Sequence, residues 1–367
     1  MKILVLPNAL KGTLSAKQAG EIIMRALSKH HTVKMWPVCD GGDGFLDFFR
    51  TLDPRAKTCF VTAKNAFLKN KRAPFLLLSD GKTAVLETAK ICGLGSAKKR
   101  ELDPLGASSY GVGQVILAAV KRGAKTIYIG LGGVATNDGG AGMAVACGAR
   151  LTYKTGREIP LGANALLQLA RVDLSALKKQ FKGIKFIAVA DVKNPLLGPL
   201  GSARVFGPQK GATPQQVEIL ERALTAWARA LQRETGKSVS RVQSTGAAGA
   251  IAAGLYSCFN AKLCLGADEL FKKAKLDEPI KRADLIITCE GKLDKSTFYG
   301  KAPHAVLKLA RKHKKPVLFI CGQTDRKIFR SHNLLPEKIA ALIDFAKDEN
   351  DAKKHAAKYL RRVCESV

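Results

Sequence analysis

The chain has 367 residues, a net charge of +31 and 46% hydrophobic residues. That length points to two domains, and the composition excludes a disordered or fibrous chain; no apolar run approaches the ~20 residues of a membrane span. The positive charge favours anionic partners. However, the basic clusters at residues 98–100, 178–179, 272–273 and 312–315 are scattered, and no helix-turn-helix, RNP or zinc-finger pattern accompanies them.

Residues 3–6 read as a buried strand stopped by Pro7, too short for a signal-peptide core. Ser15 and Gln18 form a capping-box pattern, which satisfies free amides at a helix start. Ala19, Ile22, Ile23, Ala26 and Leu27 supply the apolar stripe of that helix. A strand at 33–38 leads into Asp40-Gly-Gly-Asp-Gly44, which opens a second helix. Residues 73–78 and 83–87 predict a hairpin across 79–82. Helices are expected at 110–121 and 214–234, the latter opened by Thr213, Pro214 and Gln216. Strands at 126–129 and 185–190 run into loops rich in glycine or proline, and a short helix is expected at 143–147. Toward the end come strands at 285–288 and 316–321, a helix at 303–312, the stretch 340–345 and a last helix at 352–363.

Strands alternating with helices argue for a parallel sheet with helices on both faces. The expected fold is α/β: a parallel-sheet domain built from both chain ends, residues 1–65 and 280–367, with a mixed α/β domain, residues 66–279, inserted between them. Nine cysteines without a C-x-x-C pair read as reduced thiols of a cytoplasmic protein. The six histidines show no metal-ligand spacing.

The most informative stretch is Ile129-Gly-Leu-Gly-Gly-Val-Ala-Thr-Asn-Asp-Gly-Gly-Ala-Gly142, a strand-to-helix loop. Backbone amides of such a loop can bind phosphate, which makes Gly132, Gly133, Thr136, Asn137, Asp138, Gly139 and Gly140 candidates for phosphate or nucleotide. Gly130-x-Gly132-x-x-Ala135 matches the dinucleotide fingerprint by letter. The acidic residue expected about 20 positions on is missing, which weighs against a nucleotide-dependent oxidoreductase. No Walker A motif is complete, and the protein-kinase motif set is absent. Four further segments place ionisable groups beside glycine or proline at strand ends: Lys11 with Gly12; Asp40 and Asp43; Asp191 to Pro195; and Glu290 to Asp294, followed by Lys301. Any one of them could be a plain turn or cap. Together they offer what phosphoryl transfer needs, namely lysines and amides for phosphate charge, carboxylates for Mg²⁺ and a base for the attacking hydroxyl. Asp191, at the end of a buried strand, is the leading base, with metal ligand and turn cap as its alternatives; Asp138, Glu290 and Asp294 compete for that role.

Taken together, the motifs resemble the bacterial type I glycerate kinase family. The resemblance rests on Leu10-Lys-Gly-Thr-Leu-Ser15, Asp40-Gly-Gly-Asp-Gly44, Ser109-Tyr-Gly-Val-Gly113, residues 132–142, residues 191–199, Phe206-Gly-Pro-Gln-Lys-Gly211, Gly246-Ala-Ala-Gly249, Glu290-Gly-Lys-Leu-Asp294 and Gly300-Lys-Ala-Pro303. It implies a flavodoxin-like domain and a restriction-endonuclease-like domain. It also implies ATP, Mg²⁺ and D-glycerate, with 2-phosphoglycerate favoured over 3-phosphoglycerate as product. Site roles follow: Asp191 and Lys11 catalytic; Gly246 and Gly249 added to the nucleotide loop; Asn194, Gln209, Lys210 and Lys301 for substrate; Asp40, Asp43, Glu290 and Asp294 for metal. Glycerate and ATP are the expected partners, without a membrane or a specific nucleic acid, and the chain could act as a homodimer. Four positions depart from the family pattern: Asn8 replaces a carboxylate, Phe45 a small hydroxyl residue, Ala250 a glycine and Ser296 a glutamine. The reading set against a kinase of this kind is a basic nucleic-acid-binding protein on a degenerate kinase fold.

Overall fold

The computed structural model describes residues 1–10, 12–298, 301–325, 334–365 and 367. The chain opens with β1 (Lys2–Pro7), α1 (Ala16–Leu27), β2 (Thr32–Met35) and α2 (Phe45–Leu52). Next come β3 (Lys57–Lys64), β4 (Asn70–Leu77), β5 (Thr83–Glu87), α3 (Thr88–Cys92), α4 (Tyr110–Lys121), β6 (Thr126–Leu131) and α5 (Ala141–Ala146). The middle continues through β7 (Arg150–Thr152), β8 (Arg171–Asp173), α6 (Ser175–Gln180), β9 (Lys185–Ala190), α7 (Ser202–Phe206), α8 (Pro214–Thr235), α9 (Ile251–Cys258) and β10 (Lys262–Leu265). The chain closes with α10 (Gly266–Lys273), α11 (Asp277–Arg282), β11 (Leu285–Leu293), α12 (Ala302–Lys312), β12 (Val317–Thr324), β13 (Lys338–Ala341), α13 (Glu349–Lys354) and α14 (Ala356–Cys364).

These elements form two compact units. A terminal unit holds residues 1–40, 47–52 and 266–367, and a central unit holds 41–46 and 53–265. The divisions fall earlier than the 65 and 280 expected from sequence, for identifiable reasons. β3 pairs along its whole length with β4, so the chain from residue 53 belongs to the central sheet. At the other end, α10 and α11 pack on α12 and so join the terminal unit.

The terminal unit is built on a five-stranded sheet in the order β13-β12-β11-β1-β2, parallel throughout. Ile3, Val5, Ile287, Leu318 and Ile320 of one face pack with Ile23 and Leu27 of α1 and with Leu360 and Val363 of α14. Leu4, Leu6 and Ile286, on the alternate positions, are buried as well, as expected for strands covered on both faces. Each such side chain contributes roughly 1.5–3 kcal/mol when fully buried. The capping box at Ser15 is formed as read: Ser15 Oγ accepts from Gln18 N at 3.2 Å, and Gln18 Oε1 accepts from Ser15 N at 2.9 Å.

The central unit has a six-stranded sheet in the order β10-β9-β6-β5-β4-β3. Its first four strands are parallel and the β5–β4–β3 edge is antiparallel. The long helix α8 buries Leu220, Leu224, Trp227 and Leu231, a stripe spaced by three or four residues that seats it on the core. Two elements differ from expectation. β11 runs on to Leu293, so Glu290 is a strand residue paired with Cys321 and not a loop residue. The last helix breaks at His355 into α13 and α14, the first capped by Asp348. Among the described residues, no helix is long and apolar enough to cross a membrane.

Candidate active site

In the central unit, register brings the key groups together. Leu131 of β6 and Glu87 of β5 end two neighbouring strands, and Leu131 pairs with Ala190 at the end of β9. Gly132 and Asp191 are therefore the first residues beyond one pair and emerge side by side. Ligands of open α/β sheets bind beyond such carboxyl ends. The turn of residues 41–44 lies across the same ends. A Cβ at Gly41 would stand 2.4 Å from Val189 O, and one at Gly132 would stand 3.2 Å from Gly42 Cα. Glycine is required at position 41, where φ is also 103°, and the fit at Gly132 is tight. Asp43 is exposed on that turn, and Asp191 is half-buried.

The loop after β6 divides into an open and a closed part. Gly133 is exposed, and a Cβ there would meet nothing within 4 Å. Residues 134–140 are buried. The Asp138 carboxylate, fully buried, accepts from Ser109 N at 2.8 Å, Ser109 Oγ at 2.9 Å, Ser108 Oγ at 3.3 Å, and Gly140 N and Gly142 N at 3.1 Å. Burial pushes its pKa up, and the Ser109 and glycine hydrogen bonds pull against that shift. Gly139 N donates to Gly249 O at 3.2 Å, and Gly139 O accepts from Trp227 Nε1 at 2.9 Å.

These contacts correct several readings from sequence. The amides of Gly139 and Gly140 are engaged inside the protein, and Gly132 N donates to Thr88 Oγ1 at 3.1 Å, so the exposed part of the loop is Gly133. Gly246 and Gly249 serve close backbone packing: a Cβ would lie 2.3 Å from Pro195 O at Gly246 and 1.8 Å from Thr136 O at Gly249. Lys210 reaches inward, but Nζ donates to Thr136 O at 2.7 Å and the residue is 3% exposed, so it props the loop from beneath. Burial lowers its pKa to about 8, with Cys92 and Asp138 acting in the opposite direction. Thr136 Oγ1 and Asn137 Oδ1 are buried without a partner. Asn194 is half-buried, its Nδ2 donating to Leu200 O at 2.8 Å, and Gln209 is exposed. The fingerprint at Gly130 gains no support: α5 begins ten positions beyond Leu131, and Gly130 is needed to pass the Phe45 ring, 2.6 Å from where a Cβ would stand. The unusual Phe45 is thus accommodated by a missing side chain opposite it. Ala250, also unusual, holds a left-handed φ of 65°, which suits glycine better.

In the terminal unit, the strand order reverses between β1 and β11, the place where such sheets bind ligands. Glu290 is 6% exposed there. Its Oε1 accepts from Lys301 Nζ at 2.8 Å and its Oε2 from Thr297 Oγ1 at 2.8 Å. Burial raises the Glu290 pKa, against Lys301 and Thr297. Burial also pulls on Lys301, but Glu290, with Asp294 and Asp40 behind it, holds the lysine above its ordinary value, so it stays charged. Lys301 is the N-cap residue of α12, where helix amides and the ammonium both favour an anion. Asp40 and Asp294 are half-buried. Asn8 Oδ1 accepts from Ala9 N at 2.9 Å and, being neutral, is no metal ligand of the carboxylate kind. Lys11 lies outside the described residues.

Comparison with known proteins decides the family. The sequence profile of the Glycerate kinase family matches residues 3–367. The chain belongs to that family. It is 35% identical to the glycerate kinase of Bacillus subtilis (strain 168), across 100% of this chain and 97% of that protein. It is 36% identical to the glycerate 2-kinase of Escherichia coli (strain K12), across 88% of this chain and 85% of that one. The crystal structure of a chain from Salmonella typhimurium LT2 assigned to glycerate kinase 2 superposes with a TM-score of 0.81, at 34% identity, over 100% of this chain and 96% of that one. The chain is an ATP-dependent kinase acting on glycerate. Sequence reasoning gave Ser109 only as part of a motif and passed over Glu87 and Trp227. Glu87 carried the same signal as Asp191, an acid at the end of an apolar strand.

Proposed function

We propose that this glycerate kinase phosphorylates the 2-hydroxyl of D-glycerate, with Asp191 as proton acceptor and the loop at Gly133 as the approach for the ATP phosphates. The observation that carries this reading is that Asp191, the turn bearing Asp43 and the exposed Gly133 all lie at neighbouring strand ends of the central sheet. The substrate hydroxyl is a poor nucleophile at neutral pH. As its oxygen bonds to the γ-phosphorus and the bond to ADP breaks, its proton passes to the Asp191 carboxylate. Lys301 and Lys11 are assigned to anionic groups of substrate or nucleotide, and Asn194 and Gln209 to the rim of the substrate site.

Magnesium, when bound, supplies charge neutralisation on the β- and γ-phosphates. It needs one or two carboxylates beside phosphate and water. Among the described residues no three metal-binding side chains gather, which suits a cation held mainly by nucleotide. Asp43 fits as one such carboxylate in the central unit, and Asp40 and Asp294 are the candidates in the terminal unit. Glu290 fits poorly, because Lys301 and Thr297 hold both of its oxygens. The terminal strand order, 2-1-3-4-5 when its strands are renumbered, supports a flavodoxin-like domain. The mixed central sheet is assigned to a restriction-endonuclease-like insert, and nine cysteines without a C-x-x-C pair support a cytoplasmic setting.

Phosphorus NMR of the product from D-glycerate and ATP tests the regiochemistry. A single 2-phosphoglycerate resonance is expected, and 3-phosphoglycerate would overturn the assignment.

A further inference from the structure

We propose that Glu87 is a positioning residue that holds the turn of residues 41–44, and with it Asp43, in place across the strand ends. Glu87 is fully buried at the end of β5. Its Oε2 accepts from Leu46 N at 3.1 Å. That amide belongs to the first turn of α2, where helix amides lack partners of their own. One side chain from the central sheet therefore ties down the chain three residues beyond Asp43. The glycines cannot do this for themselves, because Gly41 and Gly44 sit at φ of 103° and 88° and bring no side chain to anchor the turn.

The arrangement is not one that stability alone would select. Glu87 Oε1 is buried without a partner. An unsatisfied buried oxygen costs free energy, and a hydrophobic residue of similar size would avoid that cost. Asp43 nearby adds like-charge repulsion, and burial with that repulsion raises the Glu87 pKa, partly offset by Leu46 and Lys90. A carboxylate retained against desolvation, an unpaired oxygen and a neighbouring acid marks a position held for function.

This inference rests on Asp43 working at the reaction centre, and its test separates the two ideas. Glu87→Gln keeps an acceptor oxygen for the Leu46 amide; Glu87→Ala removes it. Hydrogen exchange of the metal-free protein at residues 41–46 should speed up in Glu87→Ala and stay slow in Glu87→Gln. In Glu87→Ala, kcat should fall about 10–100-fold with a raised half-saturating Mg²⁺ concentration, and Glu87→Gln should lie within about threefold of the parent. Should Glu87→Ala not fold, Glu87→Asp, shorter by one methylene, carries the test with the same directions and smaller size. Unchanged exchange, or faster exchange with unchanged kinetics, would overturn the proposal. So would a Glu87→Gln protein that keeps slow exchange yet loses as much rate as Glu87→Ala. Asp43→Asn serves as the control: unchanged Mg²⁺ dependence there, beside a slowed Glu87→Ala, would leave the clamp standing and remove Asp43 as a metal ligand.

Discussion

Asp191 and Asp138 are both carboxylates in loops that follow central strands, and their surroundings assign them opposite work. Asp138 is enclosed by serine and glycine donors and clasps its own loop. Asp191 is half-buried and stands beside Gly132, next to the exposed Gly133. Asp191→Asn keeps the shape and removes the basicity, so kcat should fall by about 10²–10⁴ with ATP affinity nearly unchanged. Parent-level turnover with unchanged Mg²⁺ dependence would exclude it as base and as metal ligand. Lys210 offers a second measurement at this scale. Its ordinary pKa of 10.5 drops to about 8 in the fold, chiefly through burial. Between those values the unfolded chain binds more protons than the folded one, so this group's contribution to stability rises with pH across that window. Melting temperatures at pH 7.5 and 9.5 should show that rise in the parent relative to Lys210→Met, and equal pH trends would contradict the lowered pKa.

Among the elements, the loop after β6 behaves as two pieces. Gly133→Val projects into open space and should block ATP-dependent turnover while leaving the melting temperature within a degree or two. Gly139→Val is a different substitution: its Cβ would lie 2.5 Å from Trp227 Cδ1, at a φ of 66°. It should lower stability by several kcal/mol, through overpacking and a strained backbone, so lost activity there reports on folding and not on phosphate. Denaturant titration of both variants separates the cases. How much was legible follows the same division. The strands expected at 126–129 and 185–190 and the helices α4 and α8 could be read from hydrophobic period and capping, because those signals are local; β6 runs two residues further, to Leu131. β3 was missed: its exposed lysine and threonine positions make a weak edge pattern. α9 was missed as well, since it opens after Ala250 in a left-handed conformation with no polar cap. The sequence names the ionisable residues of the loops, but not the direction each side chain takes. Lys210 and Asp138 turn toward their own backbone, and only the three-dimensional packing of Thr136, Ser109 and Trp227 decides that.

At the scale of the molecule, the chain carries an excess of +31 charges. The ion pairs are mostly exposed, as in Lys353–Glu349 and Arg150–Glu158, and such pairs contribute about 0–1 kcal/mol each. Among the described residues, Lys301–Glu290 is a more buried pair, at the strand ends of the terminal unit. The charge therefore describes the surface and its attraction for anions, while the fold rests on its aliphatic interior.

The sulfur chemistry follows from that interior. Eight of the nine cysteines are buried, and burial pushes the thiols of Cys92, Cys258, Cys289, Cys321 and Cys364 up to about 12. Thiolate is the reactive form, so these sulfurs are slow toward alkylating and oxidising reagents. Cys59, on β3, is the one that solvent reaches. A maleimide dye offered to the native enzyme should settle on that strand alone, on the antiparallel edge of the central sheet and away from the loop ends that carry Asp191. The unaltered sequence thus already provides a single attachment point for fluorescence or tethering.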